Sequence, residues 1–99
     1  MLSVIVERVD AGAVMPLSPE AKIINDLIRV IAAGIVDYPE HIETIVVESG
    51  HTIVVELMVA REDIGKVIGR QGSMARALRT IMSNASTKHN RRSVLQIIE

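Results

Sequence analysis

The 99-residue chain contains no cysteine, phenylalanine or tryptophan, and its only aromatic residue is Tyr38. The absence of cysteine excludes disulfide bonds and thiolate metal sites. The scarcity of aromatic rings excludes a nucleic-acid site built on base stacking, of the kind that RRM and OB domains use. The three histidines, at positions 41, 51 and 89, lack the spacing of a zinc site on one helix face. We therefore expect neither a metal ion nor a cofactor.

Long apolar runs are also missing from the chain. The apolar runs are interrupted within about ten residues, whereas a helix that spans a bilayer needs roughly 20. Near the N-terminus, Glu7, Arg8 and Asp10 stand where a signal peptide needs an apolar run. We therefore expect a cytoplasmic protein that makes no contact with a membrane.

The residues that are present describe one small domain with an aliphatic core, since 48% are hydrophobic and 23% are charged. The net charge of −1 hides an asymmetry. Residues 1–60 carry three basic and nine acidic side chains, whereas residues 61–92 carry eight basic and two acidic ones. Such an asymmetry is typical of proteins that contact nucleic acid, although solvated surface charge explains it equally well.

The first half of the chain predicts a helix followed by a hairpin. Ser18, Pro19 and Glu20 form a helix start, with an N-cap, a proline in the first turn and an acidic residue behind it. Apolar residues then recur at helical spacing and form one stripe, consisting of Ile24, Leu27, Ile28, Ile31 and Ile35. Two further apolar residues, Ile23 and Val30, widen this stripe. Residues 42–48 and 51–59 are rich in β-branched side chains and predict two strands around a Ser49-Gly50 turn.

The second half predicts two helices and a last strand. Residues 62–68 form a short helix, residues 69–72 interrupt it, and Ser73 caps a second helix. The predicted core positions of that second helix are Met74, Ala77, Leu78, Ile81, Met82 and Ala85. A polar loop over 86–92 then leads to a strand over 94–98.

This order of elements predicts an α+β fold in which a three-stranded mixed sheet packs against three helices on one face. A two-helix crossover joins the strands at 51–59 and 94–98, so they should run parallel. Residues 18–99 form the predicted domain. Residues 1–17 form an extension that reads either as a tail or as a weak edge strand.

The run from Gly65 to Gly72, with the sequence GKVIGRQG, is the segment best suited to chemistry. Its last two glycines allow a phosphate backbone to approach the main chain closely. The amides of the helix that follows direct partial positive charge to the same place, and Lys66 and Arg70 add cations. The Walker and dinucleotide-binding patterns do not fit. The alternative interpretation is a turn that only joins two packed helices.

At this point the sequence resembles a known family. Residues 53–98 resemble a KH domain, whose signature is a V-I-G-x-x-G loop between two helices, and the order of elements resembles the type II arrangement. Residues 18–99 are similar to the KhpA family of small, single-domain bacterial proteins. The similar segments are DIGKVIGRQG at 63–72, ALRT at 77–80 and VDYPE at 36–40. Residues 1–17 have no place in the family's pattern.

The resemblance implies a protein that binds single-stranded RNA, as an RNA chaperone or post-transcriptional regulator, with about four nucleotides in a narrow groove. It assigns the RNA backbone to Gly69, Arg70, Gln71 and Gly72, and the apolar floor to Ile64 and Ile68. It assigns the opposite wall to the last strand and the loop before it, which contain Lys88, Arg91 and Arg92. The other candidate contacts are Lys66, Ser73 and Arg76. Three side chains fit an RNA contact and a solvated surface equally well, namely Arg76, Arg79 and His89.

The family resemblance also implies partners, namely a homodimer and a heterodimer with a second KH protein similar to KhpB. No catalytic set is visible, because neighbouring carboxylates such as Glu62 and Asp63 point about 100° apart on a helix. We therefore expect no enzymatic activity. A dimerising scaffold with secondary RNA binding stays open as the alternative, because Ile23 and Val30, with the outer sheet face, offer apolar surface to a partner.

Overall fold

A computed structural model describes residues 5–8 and 17–99. In chain order its elements are β1 (Ile5–Arg8), α1 (Pro19–Ile35), β2 (Glu43–Ser49), β3 (Thr52–Met58), α2 (Ile64–Ile68), α3 (Ser73–Lys88) and β4 (Arg92–Ile97). Short 3-10 turns lie at Pro39–His41, Arg61–Asp63 and Arg70–Gly72. The predicted α+β class and the predicted order of three helices and three strands are confirmed. Expectations for residues 1–4 and 9–16 lie outside the described residues.

The strands form one sheet in the order β1-β2-β3-β4. β2 and β3 form an antiparallel hairpin, whereas β3 and β4 run parallel because the two-helix crossover returns the chain to the same end. The predicted mixed sheet is therefore present as β2, β3 and β4. β1 adds a further strand at the edge, antiparallel to β2 with Ile5 opposite Glu48. The extension was predicted to be either a tail or a weak edge strand, and residues 5–8 form an edge strand.

The helices cover one face of this sheet. Along β3 the side chains of Ile53, Val55 and Leu57 are fully buried, and the residues between them are only half-buried. The core is built from aliphatic side chains and methionine, as the composition requires. Its largest fully buried apolar side chains are Ile24, Ile28, Ile53, Leu57, Leu78, Met82, Val46, Val55 and Val67.

Helix α1 begins as the sequence predicts. The Ser18 hydroxyl accepts a hydrogen bond from the Ala21 amide at 3.2 Å, so Ser18 is the N-cap. The same residue donates to the carboxylate of Glu48 through its amide at 2.9 Å and its hydroxyl at 2.6 Å. The cap therefore also fastens the start of α1 to the end of β2.

The predicted core stripe of α3 is partly wrong. Leu78 is buried as predicted, but Ala77 and Ile81 are exposed. Ala75 and Ser86 occupy buried positions in their place. The face of α3 that meets the sheet is thus rotated by about one residue from the predicted stripe, because the sheet decides which side of the helix is covered.

Two predicted boundaries also shift. Ser49 pairs with Thr52, so the two residues of the hairpin turn are Gly50 and His51 rather than Ser49 and Gly50. Gly50 supplies the positive φ of this turn, at 57°. The loop predicted at 86–92 shortens to 89–91, because α3 continues to Lys88 and β4 begins two residues earlier than predicted.

Candidate nucleic-acid interface

The loop at 69–72 turns sharply between α2 and α3. Three of its four residues have positive φ angles, namely Gly69 at 77°, Gln71 at 55° and Gly72 at 75°. Glycine adopts this conformation readily, whereas a residue with a side chain, such as Gln71, pays for it in strain. Arg70 and Gln71 are both exposed. The loop therefore presents bare backbone with two polar side chains at its tip, and such strain is typical of functional loops.

The two glycines of the loop are required for different reasons. A Cβ atom on Gly69 would lie 2.7 Å from both the backbone nitrogen and the Cβ of Met74, so the first turn of α3 packs directly on this residue. A Cβ atom on Gly72 would meet only the guanidinium of Arg76, at 3.2 Å. Packing therefore demands a glycine at 69, whereas backbone conformation favours one at 72.

The prediction that Ser73 caps α3 is wrong. Gly72, in the left-handed conformation, is the N-cap, and Ser73 is the exposed first residue of the helix. No side chain caps this end of α3. Its first-turn amides have no acceptor within the helix, and the helix dipole favours an anion beside them. Ser73 therefore lies at the loop but does not use its hydroxyl there as a cap.

Arg76 holds the loop in shape. Its Nη1 donates a hydrogen bond of 2.6 Å to the carbonyl oxygen of Gln71, the strained residue at the loop tip. A guanidinium has five N–H donors, so others stay available to an anion. Arg76 is thus part of the loop's structure and adds a positive charge beside it.

Beside the loop, α2 presents two apolar side chains that are only partly covered. Ile64 and Ile68 are half-buried and lie one turn apart on the same side of the helix. Gly65 lies next to them and is exposed, and a Cβ atom on it would meet nothing within 4 Å. Glycine inside a helix costs about 1 kcal/mol relative to alanine, and no packing within the described chain requires it here. The one signal of this open position in the sequence is a glycine inside a helical pattern.

Lys66 is paired with two carboxylates rather than lying at the loop. Its ammonium is 2.8 Å from the carboxylate of Asp37 and 3.5 Å from that of Asp63. Residues two positions apart on a helix point about 160° apart, so Lys66 is on the side of α2 opposite Ile64 and Ile68. The structure therefore does not bring Lys66 together with Ile64, Ile68 and the loop, because two carboxylates hold it against the end of α1.

Asp63 fastens the end of α1 to the base of α2. Its buried carboxylate accepts hydrogen bonds from the amides of Asp37 at 3.1 Å and Tyr38 at 3.0 Å. Burial by itself raises the pKa of Asp63, but the two amides and the Lys66 ammonium outweigh it and hold the pKa below its ordinary value. The hydrogen bond with Asp37 raises the pKa of Lys66. The charged cluster is therefore complete at neutral pH and sets the position of α2.

A second charged cluster lies around Arg91. Its guanidinium donates to the carboxylate of Glu48 at 2.9 Å and to the carbonyl oxygen of His51 at 3.2 Å. Burial raises the pKa of Glu48, but the hydrogen bonds from Ser18 and the charge of Arg91 outweigh it, so the pKa is lowered. Arg91 thus joins the start of α1, the β2–β3 turn and the start of β4.

The second cluster is far from the loop at 69–72. Lys88, Arg91 and Arg92 lie at the opposite end of α3, whose 16 residues span about 24 Å. The seven residues of β3 likewise lead about 20 Å away from the β2–β3 turn before the chain enters α2. The structure therefore does not bring these three residues together with the loop. A sequence shows that they precede the last strand, but not which end of that strand lies near the loop.

The part of β4 nearest the loop is its C-terminal half, because β4 runs parallel to β3 and α2 follows the end of β3. β4 is an edge strand that pairs with β3. Arg79 reaches its backbone from α3, with Nε donating to the carbonyl oxygen of Leu95 at 3.4 Å. Arg79 thus places one basic side chain beside this edge of the sheet.

Comparison with known proteins shows the family of the chain. The family profile described as "KhpA/KhpB, KH domain" matches residues 25–97. The chain belongs to the KhpA/KhpB family of KH domains. It is 43% identical over 74 residues to the RNA-binding protein KhpA of Clostridium acetobutylicum, which is 75% of this chain and 99% of that protein. No solved structure gives a significant match.

Two further relatives are also named RNA-binding protein KhpA. That of Halalkalibacterium halodurans is 42% identical over 73 residues, covering 74% of this chain and 96% of the relative. That of Aquifex aeolicus is 40% identical over 76 residues, covering 77% of this chain and 96% of the relative. KhpA/KhpB domains are non-enzymatic binding domains, in agreement with the expectation that the chain is not an enzyme. β1 and the first six residues of α1 lie outside the matched residues.

Within residues 5–8 and 17–99, the helices are all too short or too polar to cross a membrane.

Proposed function

We propose that this protein binds single-stranded RNA with the loop at 69–72 and acts as an RNA chaperone or post-transcriptional regulator. One observation carries the proposal: bare, left-handed backbone and exposed Arg70 lie together at the uncapped start of α3. The membership of the KhpA/KhpB family, whose relatives are named RNA-binding proteins, supports RNA as the ligand.

The RNA backbone is held by the loop and the first turn of α3. Gly69 and Gly72 keep side chains away, so that a phosphate reaches the backbone amides closely. Arg70 supplies an exposed cation at the tip, and Arg76 adds a second charge while it holds the loop. Ser73, exposed at the start of α3, offers a hydroxyl beside the same phosphate.

The bases lie on α2. Ile64 and Ile68 give them an aliphatic floor, and the open surface above Gly65 lets a base or sugar approach the helix closely. Because this contact is aliphatic rather than aromatic, we expect weak binding by one domain and a preference for unpaired RNA, whose bases can turn toward the protein.

We propose the cytoplasm as the site of action, and two kinds of protein partner: a second copy of this chain and a second KH protein similar to KhpB. Ile23 and Val30 support such contacts, because they are 50% and 71% exposed on α1. The same observation favours the second candidate function, a dimerising scaffold in which RNA binding is secondary.

The test is RNA binding by a loop variant and a charge-matched control. Arg70→Asp with Gln71→Asp places two acids at the loop tip and lowers the net charge by three. Lys88→Asp with Arg92→Gln makes the same change in charge at the far end of α3. Fluorescence anisotropy with labelled single-stranded RNA should show at least about a tenfold loss of affinity for the loop variant only.

Melting curves should show that both variants are folded, since all four positions are exposed. An equal loss in the two variants would mean that general electrostatics, not the loop, binds RNA. Normal RNA binding by the loop variant would refute the proposed site. If the parent protein binds no single-stranded RNA but still self-associates, the scaffold function stands instead.

A further inference from the structure

Gln71 is the residue of the loop at 69–72 that its backbone conformation favours least. Its φ of 55° and ψ of 29° lie in the left-handed region, which costs a residue with a side chain a factor of roughly 5 to 30 in population. Glycine avoids this cost, and asparagine adopts the region far more readily than glutamine does. The same loop has glycines at 69 and 72. The backbone alone therefore gives no reason for a glutamine at 71.

The fold holds the main chain of Gln71 and leaves its side chain free. Nη1 of Arg76 donates to the Gln71 carbonyl oxygen at 2.6 Å, which stabilises the strained conformation. The Gln71 side chain is exposed, and its carboxamide makes no hydrogen bond with the part of the chain that the structure describes. Strain of this kind persists where a function needs the residue. The side chain that the strain carries is a carboxamide at the tip of the loop.

We propose that Gln71 is a specificity-determining residue, whose carboxamide hydrogen-bonds a ribose 2′-hydroxyl of the bound strand and so distinguishes RNA from DNA. This inference rests on the function proposed above, in which the loop holds the RNA backbone. It adds the chemical group by which the loop selects one kind of strand.

The other groups of a nucleotide fit different parts of the site better. A phosphate oxygen only accepts hydrogen bonds, and the exposed guanidinium of Arg70 and the amides of α3 suit it better than a neutral carboxamide. The bases lie toward α2 in the proposed complex, over Ile64 and Ile68. The 2′-hydroxyl belongs to the backbone that the loop holds. It both donates and accepts hydrogen bonds, as a carboxamide does.

One such contact gives a modest preference. A hydrogen bond between uncharged groups is worth roughly a two- to tenfold change in affinity. We therefore expect the parent protein to bind RNA roughly two- to tenfold more tightly than DNA of the same sequence. The phosphate contacts of Arg70 and the backbone amides are common to both strands, so DNA should keep the rest of the affinity.

The test is fluorescence anisotropy with three labelled single strands of one base sequence. They are RNA, DNA that carries deoxyuridine in place of thymidine, and RNA with a 2′-fluoro group in place of each 2′-hydroxyl. The fluoro strand keeps the sugar shape of RNA but has no hydroxyl hydrogen to donate. The parent should bind RNA most tightly, and the other two strands should bind more weakly and about equally.

Two variants of Gln71 separate its amide from its backbone. Gln71→Met has a similar length and the same strain but no amide, so RNA affinity should fall to the DNA value while DNA affinity stays unchanged. Gln71→Asn relieves strain and shortens the carboxamide by one methylene, so it should melt at a higher temperature and also lose the preference for RNA. Arg70→Gln is the matched control in the same loop. It should weaken RNA and DNA binding by the same factor and keep the preference.

The outcomes separate this inference from the proposed function. A parent that binds RNA and DNA equally, or a Gln71→Met variant that keeps the preference, would overturn the 2′-hydroxyl contact and leave RNA binding by the loop in place. An equal loss for both strands in Gln71→Met would also overturn it, because Gln71 would then only shape the loop. Tight binding of the fluoro strand would assign the preference to sugar shape. A parent that binds none of the strands would overturn the proposed function together with this contact.

Discussion

Replacing Gly69 with alanine should cost far more stability than the same change at Gly72, although both glycines belong to one exposed loop. Gly69 has φ 77° and ψ 172°, a region that is essentially reserved for glycine and costs another residue about 1–3 kcal/mol. The added Cβ would also lie 2.7 Å from the backbone nitrogen and the Cβ of Met74, and overpacking of this kind costs about 1–3 kcal/mol more. Together these terms give about 2–6 kcal/mol.

Gly72 is the matched comparison. Its φ 75° and ψ 14° are the ordinary left-handed conformation, which costs alanine about 1–2 kcal/mol. The nearest atom to its added Cβ is Nη1 of Arg76, 3.2 Å away at the end of a flexible side chain that can move aside. We therefore expect Gly72→Ala to lower the free energy of unfolding only by the cost of the left-handed backbone conformation.

Urea unfolding measures both variants against the parent. The free energy of unfolding should fall by about 2–6 kcal/mol in Gly69→Ala and by about 1–2 kcal/mol in Gly72→Ala, with unchanged m-values. For a domain whose whole stability is on the order of 5–15 kcal/mol, the first change is severe. Equal losses in the two variants would refute the argument, because they would mean that the contact with Met74 contributes nothing.

Three further predictions concern α2 and the two charged clusters. Gly65→Ala should raise the melting temperature, because it adds helix propensity without a clash, and should weaken RNA binding in the anisotropy assay; a gain in both would contradict the role of Gly65. Arg91→Ala should leave Glu48 without its cation and cost about 3 kcal/mol, seen as a fall in melting temperature of roughly 12–24 °C, with RNA affinity unchanged. The folded-state pKa values of Asp63 and Glu48 are lowered, so their stabilisation is complete above the ordinary values of 3.8 and 4.5 and is lost as the pH falls through the lower folded-state values. Melting temperatures between neutral pH and about pH 2 should therefore fall steeply at the acid end, and less steeply in Asp63→Asn.

The features that the sequence predicted well are those decided by neighbouring residues. The Ser18 cap, the alternation of β3 and the glycine-rich turn at 69–72 each depend on a few adjacent side chains. The parallel pairing of β3 and β4 was also predicted correctly, because parallel neighbours need a crossover connection and the two helices supply one.

The features that it missed depend on contacts between distant residues. Ser86 is buried on α3 because its hydroxyl contacts that of Ser93 at 2.8 Å and donates to the Ser83 carbonyl, and no apolar pattern shows such a partner. Lys66 and Arg91 each carry a charge that the sequence assigned to RNA. The fold pairs them with carboxylates from remote segments, so their charges hold elements of the domain together.

We propose that RNA contacts the loop at 69–72 and the adjoining sides of α2 and α3. Backbone amide NMR of the full chain, titrated with a short single-stranded RNA, tests it most directly. We predict that the largest shifts fall on residues 64–76 and that residues 88–92 change little. Shifts centred on residues 88–92, with an undisturbed loop, would contradict the account.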